Sequence, residues 1–233
     1  MSAADAAATA ATLELPFERC IFVNSPFDND FLPILQAILF AIHDCGFIAR
    51  IAVEDTGSNE TRLDKIARII RESRYSIHDI SRVEITPASP LPRFNMAFEC
   101  GLALGAIRYG AMPGRDFLFM SSEPHQDKLT LSDLAGQDSK AHKNDPRTAV
   151  GAVRSFLSAK NTKARTRGPA AIWNRYQRFH SNLPHLAARL ELTMAEVLGF
   201  EFLRDFLQIT ALWIEADARK TAKRALRAPV RKR

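Results

Sequence analysis

Four short apolar runs, each ended by a polar break and then followed by residues spaced for a helix, constrain this chain more than any other feature. Residues 19–24 (RCIFVN), 47–53 (FIARIAV), 75–80 (YSIHDI) and 116–121 (DFLFMS) read as buried strands. Between them, 30–45, 60–73 and 93–106 carry apolar residues at helical spacing. Asp28, Asn29 or Asp30 can cap the first of these helices and Gly46 can stop it. Leu63, Ile66, Ile69 and Ile70 form the inward row of the second. Alternation with short connections predicts an α/β fold: a short, mainly parallel sheet covered on both faces, with right-handed crossovers. In such sheets ligands lie beyond the carboxyl ends of the strands.

After residue 121 the pattern changes. Residues 129–145 are polar and turn-rich, with one helical turn at 132–135. Residues 146–160 are amphipathic behind Asp145 as N-cap, and 161–168 is a basic linker. Stretches 171–183 and 194–218 read as two more helices, whose aromatic residues suit a core or a dimer surface better than base stacking. The expected organisation is a disordered Ala-rich leader over 1–16, an α/β domain over 17–145, a helical C-terminal extension over 146–218 and a basic tail over 219–233.

The 32 Lys and Arg outnumber the 26 Asp and Glu, but 219–233 holds eight of those cations and no acid, so the basic excess belongs to the tail. Such a tail can meet nucleic acid, membrane phosphates or an acidic partner; a solvated helix end is the stronger expectation. No apolar run reaches the roughly 18 residues that would span a bilayer, and the N-terminus lacks the segments of a secretory signal, so no membrane contact is expected. Cys20, Cys45 and Cys100 lie in apolar surroundings without a C-x-x-C pair, as reduced thiols of a cytoplasmic protein would. The histidines lack ligand spacing, and no metal site is expected.

The third helix carries the chemistry. In RFNMAFECGLALGA (93–106) Glu99 is the single carboxylate among apolar and small residues. On a 3.6-residue period Asn95, Glu99 and Ala103 share one row, Phe94, Phe98, Leu102 and Tyr109 a second, and Ala97, Gly101 and Gly105 a third. The second row is expected in the core. The bare third row is expected to pack closely, offsetting a helix cost of about 1 kcal/mol per glycine. The first points Glu99 into a pocket or, alternatively, toward an arginine at the surface.

The loops leaving the first three strands carry Asn24, Ser25 and Phe27, then Asp55, then Asp79, all on the edge where the Glu99 helix begins. One cleft is expected there, with Glu99 and Asp79 as catalytic carboxylates and Asn24, Ser25, Phe27, Asp55 and Asn95 binding the substrate. Two carboxylates on one pocket are the minimum for cleaving a glycosidic bond. Partial desolvation among Phe94, Met96 and Phe98 would raise the pKa of Glu99. His78 alternates with Asp79 on its strand and is expected to pack under a helix. Arg74 and Arg93 can meet phosphates, with surface salt bridging the stronger expectation.

These residues carry a resemblance. NSPFD (24–28), the acidic exit Glu54–Asp55, IRESRYSIHDIS (70–81) and RFNMAFECGLA (93–103) resemble the nucleoside 2-deoxyribosyltransferase-like and Toll/interleukin receptor (TIR)-like superfamily. Its I-x-x-S-x-x-x-I-x-D and N-x-x-x-E-x-G-x-A patterns fall on Ile70, Ser73, Ile77 and Asp79, and on Asn95, Glu99, Gly101 and Ala103. The resemblance implies a flavodoxin-like three-layer fold. It also implies that Glu99 attacks or stabilises the anomeric carbon of a nucleoside, nucleotide or NAD, as an N-glycosidase, NADase or deoxyribosyltransferase does, with no cofactor beyond the substrate. It allows a bacterial antiphage or toxin setting and a homo-oligomer. The alternative is a non-catalytic nucleotide-sensing module that signals through its helical C-terminal region. The resemblance covers about 19–121; the loop between Asp79 and Asn95 is longer than in compact transferases, and the helices beyond 145 match nothing in their minimal fold.

Overall fold

The computed structural model describes residues 15–54, 57, 59–82, 93–125, 131–134, 136–161 and 166–227. Most of the expected leader, Asp55 and most of the loop before the Glu99 helix lie outside these residues. Strands β1 (Cys20–Asn24), β2 (Ile48–Arg50), β3 (Tyr75–Asp79), β4 (Asp116–Ser121) and β5 (Lys140–Ala141) form one sheet. All neighbours are parallel, in the order β2-β1-β3-β4-β5, the doubly wound order of a flavodoxin-like three-layer fold. Every residue of β1 and β3 is buried; β1 is almost wholly apolar, whereas β3 also buries Ser76, His78 and Asp79. β5 falls in the segment expected to be turns; it is a two-residue edge strand pairing Lys140 with Met120.

Helices α1 (Leu32–Asp44) and α4 (Pro146–Ser158) cover one face of the sheet, packing on Ile21, Val23, Tyr75 and Ile77. Helices α2 (Arg62–Arg71) and α3 (Asn95–Tyr109) cover the other, packing on Phe22 and Phe119. Local chemistry sets the ends. Asp28 Oδ1 accepts the Phe31 amide at 3.0 Å where α1 begins, and Gly46 leaves it with φ of +87°. Thr61 caps α2 through the Asp64 amide, and Asp145 caps α4 through Arg147 and Thr148.

Three further helices, α5 (Pro169–Arg189), α6 (Met194–Val197) and α7 (Leu203–Arg227), lie outside α1 and α4. The single helix expected over 194–218 is broken at Gly199 and the short 3-10 turn Phe200–Phe202. A Cβ at Gly199 would stand 3.1 Å from the Ala195 carbonyl oxygen. α7 continues through residues 219–227 of the basic tail. The aromatic residues form core: Phe40 of α1 lies 5.4 Å from Tyr176, 5.2 Å from Phe179 and 5.9 Å from Trp213, centroid to centroid. Buried Arg175 of α5 joins Asp44 of α1 at 2.7 Å to Asp217 of α7. All three cysteines are free and buried. Among the described residues no helix is long and apolar enough to cross a membrane.

The α2–α3 face corrects three expectations. Phe94, Phe98 and Tyr109, expected in the core, are 70%, 55% and 89% exposed. The glycine row packs on nothing, since no neighbouring atom lies within 4 Å of a Cβ built at Gly101 or Gly105. Leu63, expected inward, is half-exposed. The buried row of α3 is Met96, Glu99, Cys100 and Ala103.

Candidate functional site

The strand order reverses between β1 and β3, and the crevice beyond their carboxyl ends is where such sheets take ligands. Asn24 closes β1 and is buried; its Nδ2 donates to the Met96 carbonyl at 2.7 Å and meets His78 Nδ1 at 3.1 Å. That amide fixes the first turn of α3 against the ends of β1 and β3. With Nδ1 as acceptor, the His78 proton sits on Nε2, 2.9 Å from Ser76 Oγ. His78 lies edge-on to Phe22 and Phe117. Burial pushes its pKa down to about 3, so it is neutral under α3.

Glu99 follows Met96 by one turn and is 7% exposed. Among the described residues its carboxylate takes no hydrogen bond and no ion pair. Burial raises its pKa, and the charge of Arg62 at the start of α2 pulls it partly back. A carboxylate withdrawn from water without a donor is costly, and such groups concentrate at working sites. Ser25, the residue after β1, is also buried, and its Oγ has no partner among the described residues.

Asp79 is placed differently. It alternates with His78, so its carboxylate leaves the sheet on the α1 side, opposite to Glu99. It is fully buried, and Oδ1 accepts the Ser81 amide at 2.9 Å. His142 just after β5 accepts the Asn144 amide on Nδ1 at 3.1 Å, which puts its own proton on Nε2. That nitrogen lies 2.9 Å from Ser81 Oγ and 3.0 Å from Asp79 Oδ2. Both partners meet the same ring nitrogen, so the cluster is a clamp between β3 and β5, without the relay geometry of a Ser-His-Asp triad.

The structure thus brings Asn24, Ser25 and Glu99 to the β1 end of the crevice. Asn95 stands exposed at the start of α3. Phe27 turns toward the C-terminal helices and meets Phe200 edge-on at 5.9 Å. Asp55 lies outside the described residues. The clefts between α5 and α7 and between α2 and α3 include neither Glu99 nor Asp79.

Three residues escaped sequence reasoning: Asp28, Arg62 and His142. Asp28 gathers Arg82 at 3.2 Å and Arg93 at 3.1 Å, tying the loops after β1 and β3 across the crevice. Its signal was an acid in the NSPFD loop facing arginines on both flanks of the long loop, but no spacing rule pairs them. His142 was hidden because β5 was. Arg74, the other arginine considered, bonds the Gly114 carbonyl and pairs with Glu18. Among the described residues no group of His, Cys, Asp and Glu is placed to hold a metal. Compared with known proteins, the chain matches no family model and no curated protein.

Proposed function

We propose that this protein acts on the N-glycosidic bond of a nucleoside, nucleotide or NAD, with Glu99 as its working carboxylate. One observation carries the reading: beyond the strand ends of a doubly wound sheet, Glu99 is largely buried, and no described residue donates a hydrogen bond to it. In the reaction the C1′–N bond breaks, its electron pair leaves with the base, and positive charge gathers on C1′ and the ring oxygen. Ionised Glu99 stabilises that charge or bonds to C1′. Water then supplies a hydroxyl to C1′, and its proton goes to the departing nucleobase or, where neutral nicotinamide leaves NAD, to solvent; in transfer, a nitrogen of a second base takes the place of water. Arg62 favours the ionised form. Asn24 acts one step back, by holding the turn of α3 that precedes Glu99, and Ser25 offers its unpaired hydroxyl to a ligand. A role in antiphage defence or toxin signalling rests on the resemblance alone.

Asp79 leaves the sheet on the opposite side, its Oδ1 held by the Ser81 amide and its Oδ2 beside His142 without a hydrogen bond. Glu99 is thus the one carboxylate placed at the β1 end of the crevice among the described residues, which favours a second reading. In it the crevice senses a nucleotide without cleaving it, and occupancy passes through the Phe27–Phe200 contact to the C-terminal helices. Incubation with NAD and a nucleoside panel separates the two. Wild type should release free base, and Glu99→Gln should cut release at least about a hundredfold without changing the circular dichroism. Release that survives Glu99→Gln removes Glu99 from the role. Nucleotide binding by calorimetry without release selects the sensing reading, and neither binding nor release ends both.

A further inference from the structure

Among the described residues nothing covers Phe94, Phe98 or Tyr109 on the outer face of α3, while Leu102 at its margin packs partly on the α2 side, and the residues of this face follow an order of their own. Phe94, Phe98, Gly101, Leu102, Gly105 and Tyr109 fall within a sector of about 100° on the helix. Aromatic rings stand at both ends of the row, with a glycine gap beside Leu102 between them. Phe94 and Tyr109, Phe98 and Gly105, and Gly101 and Leu102 are three pairs with one common centre, midway between residues 101 and 102. We propose that two copies of this chain pair through α3, antiparallel about a two-fold axis at that centre. Phe98 of each copy then enters the gap at the partner's Gly105, Phe94 meets the partner's Tyr109, and Leu102 covers the partner's Gly101. An isologous contact requires this self-complementarity of ridge and gap.

Two further observations support a second copy as the occupant. Mid-helix glycines weaken a helix, and no contact among the described residues calls for Gly101 or Gly105, because no neighbouring atom of those residues lies within 4 Å of where a Cβ would stand. Close approach of another helix does call for them. The exposed parts of Phe94, Phe98 and Tyr109, with Leu63 and Met112 at the rim, amount to on the order of 600 Å² per copy. A pair would hide about 1,200 Å², enough for a specific interface, whereas one copy alone leaves a large apolar patch in water. The pairing does not depend on what Glu99 does.

Sedimentation equilibrium of the full chain should give twice its 26.0 kDa mass. Phe98→Asp and Gly105→Leu should each weaken the dimer at least about thirtyfold and leave the circular dichroism unchanged, since the first side chain is exposed and the second position has room. Mild oxidation should cross-link the double variant Phe98→Cys with Gly105→Cys, and should leave Phe98→Cys alone largely uncoupled. A wild-type chain that stays monomeric at all concentrations has this face covered by its own leader or by another partner, and overturns the proposal. So does a dimer that survives both single variants, or equal cross-linking of Phe98→Cys alone.

Discussion

Helices α1 and α3 have similar sequences and opposite surroundings. Both are apolar on nearly every side, LPILQAILFAIHD in one and NMAFECGLALGAIRY in the other. A helix of that kind needs cover on two sides. α1 has it, with the sheet beneath and α4, α5 and α7 outside, so that residues 34–42 are all buried. α3 has the sheet beneath and, among the described residues, nothing over Phe94, Phe98 and Tyr109 outside. The C-terminal helices therefore complete the layer over α1 and leave the layer over α3 open. The difference also divides the charges. On the α1 side Arg175 lies between Asp44 and Asp217 and offsets both. On the α3 side Glu99 has, among the described residues, the charge of Arg62 and no ion pair.

The largest expected effect tests the packing contrast directly. Phe40→Ala empties the centre of the aromatic cluster and should cost about 3–5 kcal/mol in urea unfolding. Phe98→Ala, on the matching helix across the sheet, should change monomer stability by no more than about 0.5 kcal/mol. Equal losses would mean that α3 is covered as α1 is. Next in size is Arg175→Met, which removes the nearer cation from two carboxylates and leaves Asp44 only Arg167 at 3.7 Å and Asp217 only Arg178 at 3.5 Å among the described residues. A loss of about 3–5 kcal/mol is expected, and Asp44→Asn in the same chain should restore part of it. A neutral Arg175→Met would break the claim that the α1 side is electrostatically closed.

The layer missing over α3 is what sequence periodicity could not reveal. The strands β1 and β4 were legible as short apolar runs, and α2 and α4 because their apolar residues recur at helical spacing, with Asp145 a good cap for the second. Phe94, Phe98 and Tyr109 make an apolar row on any helical wheel. The wheel gives the row but not what covers it, and a surface meant for a second chain looks the same as a core face. β5 was lost because Lys140–Ala141 is two residues long and half-buried, too short for any alternation. At the site, the spacing singled out Glu99, which the fold buries on α3 facing the sheet. Its pairing with Asp79 could have been questioned from the sequence. Ile77 and Asp79 share one side of β3 by the two-residue period, and Ile77 packs toward α1. Asn24 and His142 act through a backbone carbonyl and a hydroxyl respectively, contacts that only the folded chain can supply.

The pH dependence gives the sharpest test on the α3 side. His78 and Glu99 both lie there and respond in opposite directions. His78 falls from 6.5 to about 3 on folding, so the unfolded chain takes up a proton first as pH drops. Its contribution is complete above about 6.5 and is lost toward pH 3, at up to about 1.4 kcal/mol per pH unit. Glu99 is raised by burial, so the folded chain holds that proton more tightly than the unfolded one. Its contribution is present below the ordinary carboxyl range and is lost as pH rises through the folded value. At pH 7 the ionised Glu99 is therefore a strain on the fold, and Glu99→Gln should be more stable than wild type in urea. The gap should close as pH falls toward the range where wild-type Glu99 is protonated. His78→Asn should flatten the loss between about pH 6.5 and 4. If Glu99 were compensated as Asp44 is, Glu99→Gln would be neutral or destabilising at pH 7. A variant that gains stability while losing base release would show that the α3 side gives up stability to keep one unpaired carboxylate ready for a ligand.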